Sequence, residues 1–188
     1  MEFNTYDMDR TKNPLIRLWR NSLHSRINKI IKKINPDHVL DIGARDGLAT
    51  KKFMKGIDAA LVMGDIDTKR ASVMELDICL LHYLDSSFDL VIAKEVLEHL
   101  ENPFAAIKEC KRVAKKYCVF VVPNEPLFRW CNVLRGKYWK YGGNNQQEHL
   151  HNWNIREFKN LLYRYFDNPI VLDHVIELIG ICKVNQHE

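Results

Sequence analysis

Val39-Leu40-Asp41-Ile42-Gly43-Ala44-Arg45-Asp46-Gly47 decides how the rest of this 188-residue chain is read. An apolar, β-branched run ends near an acid and breaks at two glycines four residues apart. That pattern predicts a buried strand over 38–42 feeding a tight turn, then a helix over 48–55. Glycine at such a turn lets backbone approach a ligand where a Cβ would collide. The G-x-G-x-x-G spacing of a dinucleotide site is missing, and so is a Gly-Lys-Ser/Thr phosphate loop.

Outward from this turn, strands and helices alternate. Further strands are expected at 59–65, 72–76, 88–93 and 117–122, and two closing strands near 170–176 and 178–184 can pair antiparallel. Helices are expected at 48–55, about 67–71, 95–100, 103–115 and 154–166. Asn102 and Pro103 supply an N-cap and a proline at the first helical position. Such alternation implies a parallel sheet covered on both faces. Ahead of it, Leu15, Trp19, Leu23, Ile27, Ile30 and Ile34 recur every three or four residues, an amphipathic helix with Arg and Lys on its other face. Asn35-Pro36-Asp37 ends it.

Composition bounds the class. Hydrophobic content of 46% and charged content of 28% suit one soluble globular domain spanning 1–188. No apolar run reaches membrane-spanning length, and the N-terminus carries no signal-peptide core. Five cysteines (79, 110, 118, 131 and 182) are odd in number and form no C-x-x-C pair. They read as reduced thiols of a cytoplasmic protein and argue against a cysteine zinc site. The net charge of +4 is unevenly spread: residues 1–36 hold eight bases against three acids, and 125–141 hold four against one. Solvated helix faces explain such runs, and so does an anionic partner such as a membrane surface, nucleic acid or phosphorylated substrate.

Ligands of open α/β sheets sit at the carboxyl ends of the strands. Strand one ends in the Gly43/Gly47 turn, strand two in Gly64-Asp65-Ile66-Asp67, strand three in Leu76-Asp77-Ile78. Strand four, Phe88 to Ala93, runs into Lys94-Glu95-Val96-Leu97-Glu98-His99-Leu100. An acid at the second strand end can accept from both hydroxyls of a ribose. Taken in order, these pieces resemble the class I S-adenosylmethionine (SAM) dependent methyltransferases, in the small-molecule branch called type 11. Their first motif is D-x-G-x-G-x-G, and Arg45 stands where its middle glycine would be. The resemblance runs from about Asp37 to Phe166, and Arg112-Val113 and Val121-Val122-Pro123-Asn124 continue it.

The resemblance implies a Rossmann-like α/β fold: a seven-stranded, mostly parallel sheet with helices on both faces and an antiparallel last strand. It implies SAM as cofactor and S-adenosylhomocysteine as product. Asp65, or less favourably Asp67, would hold the ribose, Asp77 would accept from the adenine amino group, and the Ile78 N–H would meet a ring nitrogen. Gly43 and Gly47 would line the methionine part, Asp41 would orient the turn, and Lys94 would complete the cofactor set. Arg45 is expected to keep an ordinary backbone and to aim its guanidinium at the SAM carboxylate. Residues 1–36 would form a helical cap and 125–152 a substrate lid.

Candidate bases lie in two places. Glu95, Glu98 and His99 have the spacing of one face of a short helix; Glu148, His149 and His151 follow the lid. His149 or His151 could serve as general base. Alternatively Glu95, Glu98, His99 and His149 could hold a divalent cation, a set similar to that of small-RNA 2′-O-methyltransferases. The expected activity is methylation of an oxygen or nitrogen of a small molecule. An RNA 2′-O-methyltransferase and a non-catalytic binding scaffold of the same fold are the alternatives. The aromatic and basic 125–141 stretch also suits peripheral contact with an anionic membrane, or stacking on RNA.

Overall fold

Seven strands form one sheet in the order β3-β2-β1-β4-β5-β7-β6. The computed structural model describes residues 11–67, 73–125 and 149–185. Along the chain run α1 (Pro14–Ile34), β1 (His38–Ile42), α2 (Leu48–Phe53), β2 (Ala60–Asp65), β3 (Met74–Glu75) and β4 (Phe88–Lys94). A 3₁₀ turn (Leu97–His99), α3 (Pro103–Val113), β5 (Ala114–Pro123), α4 (Ile155–Tyr163), β6 (Ile170–His174) and β7 (Glu177–Lys183) follow. Strands β1 to β5 pair in parallel, and β7 runs antiparallel to both β5 and β6. The expected sheet is therefore observed, antiparallel last strand included. The helix expected at about 67–71 and most of the 125–152 lid lie outside the described residues.

Burial follows from sheet position. Every residue of β4 is buried because β1 and β5 flank it and helices cover both its faces. Leu23, Ile27 and Ile31 of α1 and Phe53 of α2 pack with Val39, Leu90, Ile92, Val119 and Val121 on one face. Ala106, Ile107 and Cys110 of α3, with Phe158, Leu161 and Leu162 of α4, fill the other. Burying each such side chain stabilises by about 1.5–3 kcal/mol before entropy is counted.

Local signals set the helix limits. Asn13 caps α1, accepting from the Leu15 and Ile16 amides, and Asn35 ends it in the left-handed conformation. Asn154 and Glu157 form a capping box on α4. Two expectations are corrected. α3 passes straight into β5 at Ala114, so the strand begins three residues early. Only Leu97–His99 of the expected 95–100 helix is helical, because Glu95 leaves β4 with φ of 55° and turns the chain away.

The face of α1 also differs from expectation. Leu15 and Leu18 are 76% and 70% exposed, whereas Arg20 is 2% exposed. Arg20 lies on the stripe of Leu23, Ile27 and Ile31, and its guanidinium reaches Glu95 Oε1 at 2.5 Å and Glu177 Oε1 at 2.9 Å. Removing one member of a buried ion pair leaves charge without compensation, at a cost of about 3–5 kcal/mol. Arg20→Met is expected to lose stability on that scale in urea denaturation. A loss no larger than that of an exposed α1 arginine, Arg26→Met, would show that the pairing is not what seats α1.

Candidate functional site

The site is assembled where β1, β2, β3 and β4 end side by side. After β1, Gly43 has φ of 78° and Gly47, the N-cap of α2, has φ of 72°. A Cβ on Gly43 would stand 2.1 Å from Val96 Cγ2, so only glycine lets the loop after β4 close against this turn. The Gly43 and Ala44 amides both donate to the Gly64 carbonyl, at 2.8 and 3.1 Å. Those bonds tie the turn to the end of β2.

Asp65 completes that tie. Its Oδ2 accepts from the Arg45 amide at 2.7 Å and its Oδ1 from the Asp67 amide at 3.0 Å. Each carboxylate oxygen keeps a further lone pair, so the group retains the capacity to receive two ribose hydroxyls. One strand further, the Leu76 amide donates to the Asp65 carbonyl at 2.9 Å, which places exposed Asp77 beside it with buried Ile78 beneath. Asp77 Oδ1 accepts from the Cys79 amide at 2.8 Å. Arg112 anchors the following loop by donating to the Leu81 and Tyr83 carbonyls and to Asp85 and Glu109. Asp41, Gly43, Arg45, Gly47, Asp65, Asp77 and Ile78 thus share one end of the sheet.

Arg45 corrects the expectation of an ordinary backbone: its φ is 52°. It adopts the left-handed conformation that glycine favours, while its amide donates to Asp65. Asp41 is buried and accepts from the Thr50 hydroxyl, fixing the start of α2 against the end of β1. Burial pushes its carboxyl up to about 7, against the opposing pull of that hydroxyl and of Lys94.

At the end of β4, Lys94 is buried and its Nζ meets Glu95 Oε2 at 3.0 Å. Burial works against ionising Glu95, but Arg20 and Lys94 outweigh it and hold the carboxyl well below the usual range. Glu177, also buried and facing the charge of Glu95, is pushed well up. Glu95 is thereby committed to Arg20 and Lys94 and does not share a helical face with Glu98 and His99. Arg20 and Glu177 were missing from the sequence reading. The signal for Arg20 was its position, three, seven and eleven residues before Leu23, Ile27 and Ile31.

Glu98, His99 and His149 do converge: one ligand atom from each lies within 4.8 Å of the others. The His99 and His149 rings meet edge-on at 5.0 Å. Glu98 is 1% exposed, and neither of its carboxylate oxygens has a hydrogen-bond partner among the described residues. Its backbone carbonyl accepts from the Leu150 and His151 amides, which pins the returning chain over it. Burial, with Glu95 and Glu125 nearby, pushes the Glu98 carboxyl up to about 8. Burial and His99 bring His149 down to about 4. Glu125, another buried acid not singled out in the sequence, stands 4.0 Å from His149 Nδ1. His151 instead stacks on Trp153 at 5.4 Å.

Comparison with known proteins agrees with this fold. A family model described as a methyltransferase domain matches residues 40–122. Ubiquinone biosynthesis O-methyltransferase of Rickettsia bellii is 29% identical over 78% of this chain and 77% of its own length. Magnesium protoporphyrin IX methyltransferase of Synechocystis PCC 6803, solved with S-adenosylhomocysteine bound, superposes with a TM-score of 0.65 at 14% identity, covering 93% of this chain and 89% of that one. The CurJ carbon methyltransferase gives a TM-score of 0.66 at 14% identity over 94% of this chain, which spans 56% of that structure.

Two expected outcomes test the turn. Arg45→Gly relieves a left-handed non-glycine residue and should gain about 1 kcal/mol in denaturant unfolding; a loss would mean the Arg45 side chain stabilises more than its backbone costs. Asp41 titrates near 3.8 when unfolded and about 7 when folded. The folded state therefore keeps a proton the unfolded state releases, and stability falls as pH rises across that window. The melting temperature of Asp41→Asn relative to the natural protein should climb through the window and then level off. A difference that stays flat with pH would contradict the raised carboxyl.

Proposed function

We propose that this chain is a class I SAM-dependent methyltransferase and that it methylates an oxygen atom of a small-molecule acceptor. The observation that carries this is the succession of Gly43–Gly47, Asp65 and Asp77 on adjacent strand ends, with the Glu98–His149 cluster built on the chain that follows β4. Support for oxygen over nitrogen comes from the Rickettsia bellii relative, whose name places it among O-methyltransferases.

When bound, SAM supplies a methyl group on a sulfonium that is its own leaving group. The protein's share is alignment and proton removal. Asp65 would hold the ribose hydroxyls, while Asp77 and the Ile78 amide would read the adenine edge. The glycine turn would admit the amino-acid part, with Lys94, paired with Glu95, at the end of β4. The proton of the acceptor hydroxyl would pass to the Glu98, His99 and His149 cluster. His151, stacked on Trp153, is not part of that cluster.

A second reading is favoured by the convergence of Glu98, His99 and His149: these three are a ligand set for a divalent cation, with the orphaned Glu98 carboxylate as its anionic member. Glu95, part of the set read from sequence, is engaged elsewhere. Titration of the chelator-treated protein with Mn²⁺ separates the two readings. Binding that disappears in His149→Ala, with activity restored by the ion, selects the cation; full activity in chelator selects proton removal.

For the methyltransferase site itself, SAM titrated calorimetrically should bind Asp65→Ala about tenfold or more weakly than the natural protein. Two hydrogen bonds to a charged group are lost, each worth about 1.5–3 kcal/mol. Equal affinity would remove Asp65 from the cofactor site.

A further inference from the structure

The far end of α2 and the outer flank of α1 enclose a second cavity, of about 450 Å³. Lys32, Asn21 and Ser25 of α1 line one side, Lys52 and Lys55 the other, and Asn28 lies between them. No acid lines it among the described residues. It is separate from the site above, because α2 starts at the glycine turn and this groove opens at its opposite end, about 9 Å further along the helix axis.

Lysines at a helix C-terminus ordinarily serve its open carbonyls. Here Asn28 Nδ2 already donates to the Phe53 and Lys55 carbonyls, at 2.7 and 2.9 Å. Lys32 and Lys55 make no ion pair with any described residue. The ammonium groups of Lys32 and Lys55, facing one cavity, repel each other unless an anion sits between them. The hydroxyl of Ser25 and the amide of Asn21 add uncharged donors beside them. Several cationic and neutral donors around a small space suit a tetrahedral oxyanion better than a planar carboxylate held by a single fork.

We propose that the groove between α1 and α2 is a binding site for a phosphate group, independent of methyl transfer. Two sources offer that chemistry: the headgroup of an anionic lipid and a soluble phosphate compound. The full chain is compared with Lys32→Gln/Lys55→Gln, and with Lys29→Gln/Lys33→Gln, which removes equal charge from exposed positions of α1 outside the cavity. Inorganic phosphate and glycerol phosphate are titrated by calorimetry, and flotation uses phosphatidylcholine vesicles with and without phosphatidylglycerol. Unchanged circular dichroism in both variants secures the fold.

Binding should fall about tenfold or more in Lys32→Gln/Lys55→Gln, the loss expected for charge-assisted bonds, and should persist in Lys29→Gln/Lys33→Gln. Saturable uptake of free phosphate without flotation assigns a soluble phosphate compound. Flotation on the anionic vesicles alone, lost in the cavity variant, assigns a lipid headgroup. The proposal is overturned if neither probe binds, or if both double variants weaken binding equally, since diffuse basic charge then accounts for the affinity.

Discussion

The guanidinium of Arg20, shared between Glu95 and Glu177, fixes the relation between α1, the end of β4 and the start of β7. These elements are far apart in sequence, and nothing local dictates their meeting. A buried arginine between two carboxylates does not need to add net stability over an apolar contact. What it adds is intolerance of misplacement, since any shift strands a charge in a low-dielectric interior. That intolerance sustains the left-handed backbone of Glu95, which costs on the order of 1 kcal/mol. From Glu95 the chain turns so that Val96 covers Gly43. The first helix thus bears on the glycine turn through Glu95 and Val96.

A parallel economy appears at Arg45. The position takes a left-handed backbone while its amide donates to Asp65, and any residue type other than proline supplies that amide. Glycine would supply it at lower strain. Arginine keeps the bond between the first turn and the second strand end at modest cost. Departure from the glycine-rich motif therefore changes strain without dismantling the hydrogen-bond pattern. The Asp65 carboxylate is positioned twice over, by Arg45 and by Asp67, before any ligand arrives.

The fold was legible because its signals are local or periodic. The apolar run of β4, the Asn102-Pro103 start of α3 and the 3.6-residue stripe of α1 each name their element without reference to the rest. The strand-end acids followed from the order of those elements. What escaped depends on partners remote in sequence. Arg20 was read with the basic face because its charge outweighed its place beside Leu23 and Ile27. Leu15 was read as core, although the sheet does not extend beneath the first turn of α1. Glu95 looked helical because its neighbours Leu97 to His99 are, and only the ion pair with Arg20 explains why it is not. The direct passage from α3 into β5 left no turn residue to read.

The acid–base character of the acceptor end illustrates the same limit, with a chemical consequence. Histidine is the side chain that ordinarily titrates near neutrality, and a glutamate carboxyl ordinarily does so about two units lower. Burial reverses them here. It takes charge away from both groups, which lowers the affinity of His149 for a proton and raises that of Glu98. An imidazole brought down to about 4 is neutral but a feeble base toward a hydroxyl. A carboxyl held up to about 8 is a far stronger base whenever it is ionised, and close enough to neutrality to be ionised in an appreciable fraction of molecules. Paired groups driven apart in this way mark acid–base roles in other enzymes. In the proposed reaction the proton's natural destination is therefore Glu98, and His149 serves to close the pocket over it. The residue that sequence logic nominates as base and the residue that the environment equips as base stand side by side, and burial, reinforced by the neighbouring Glu95, Glu125 and His99, exchanges their proton affinities.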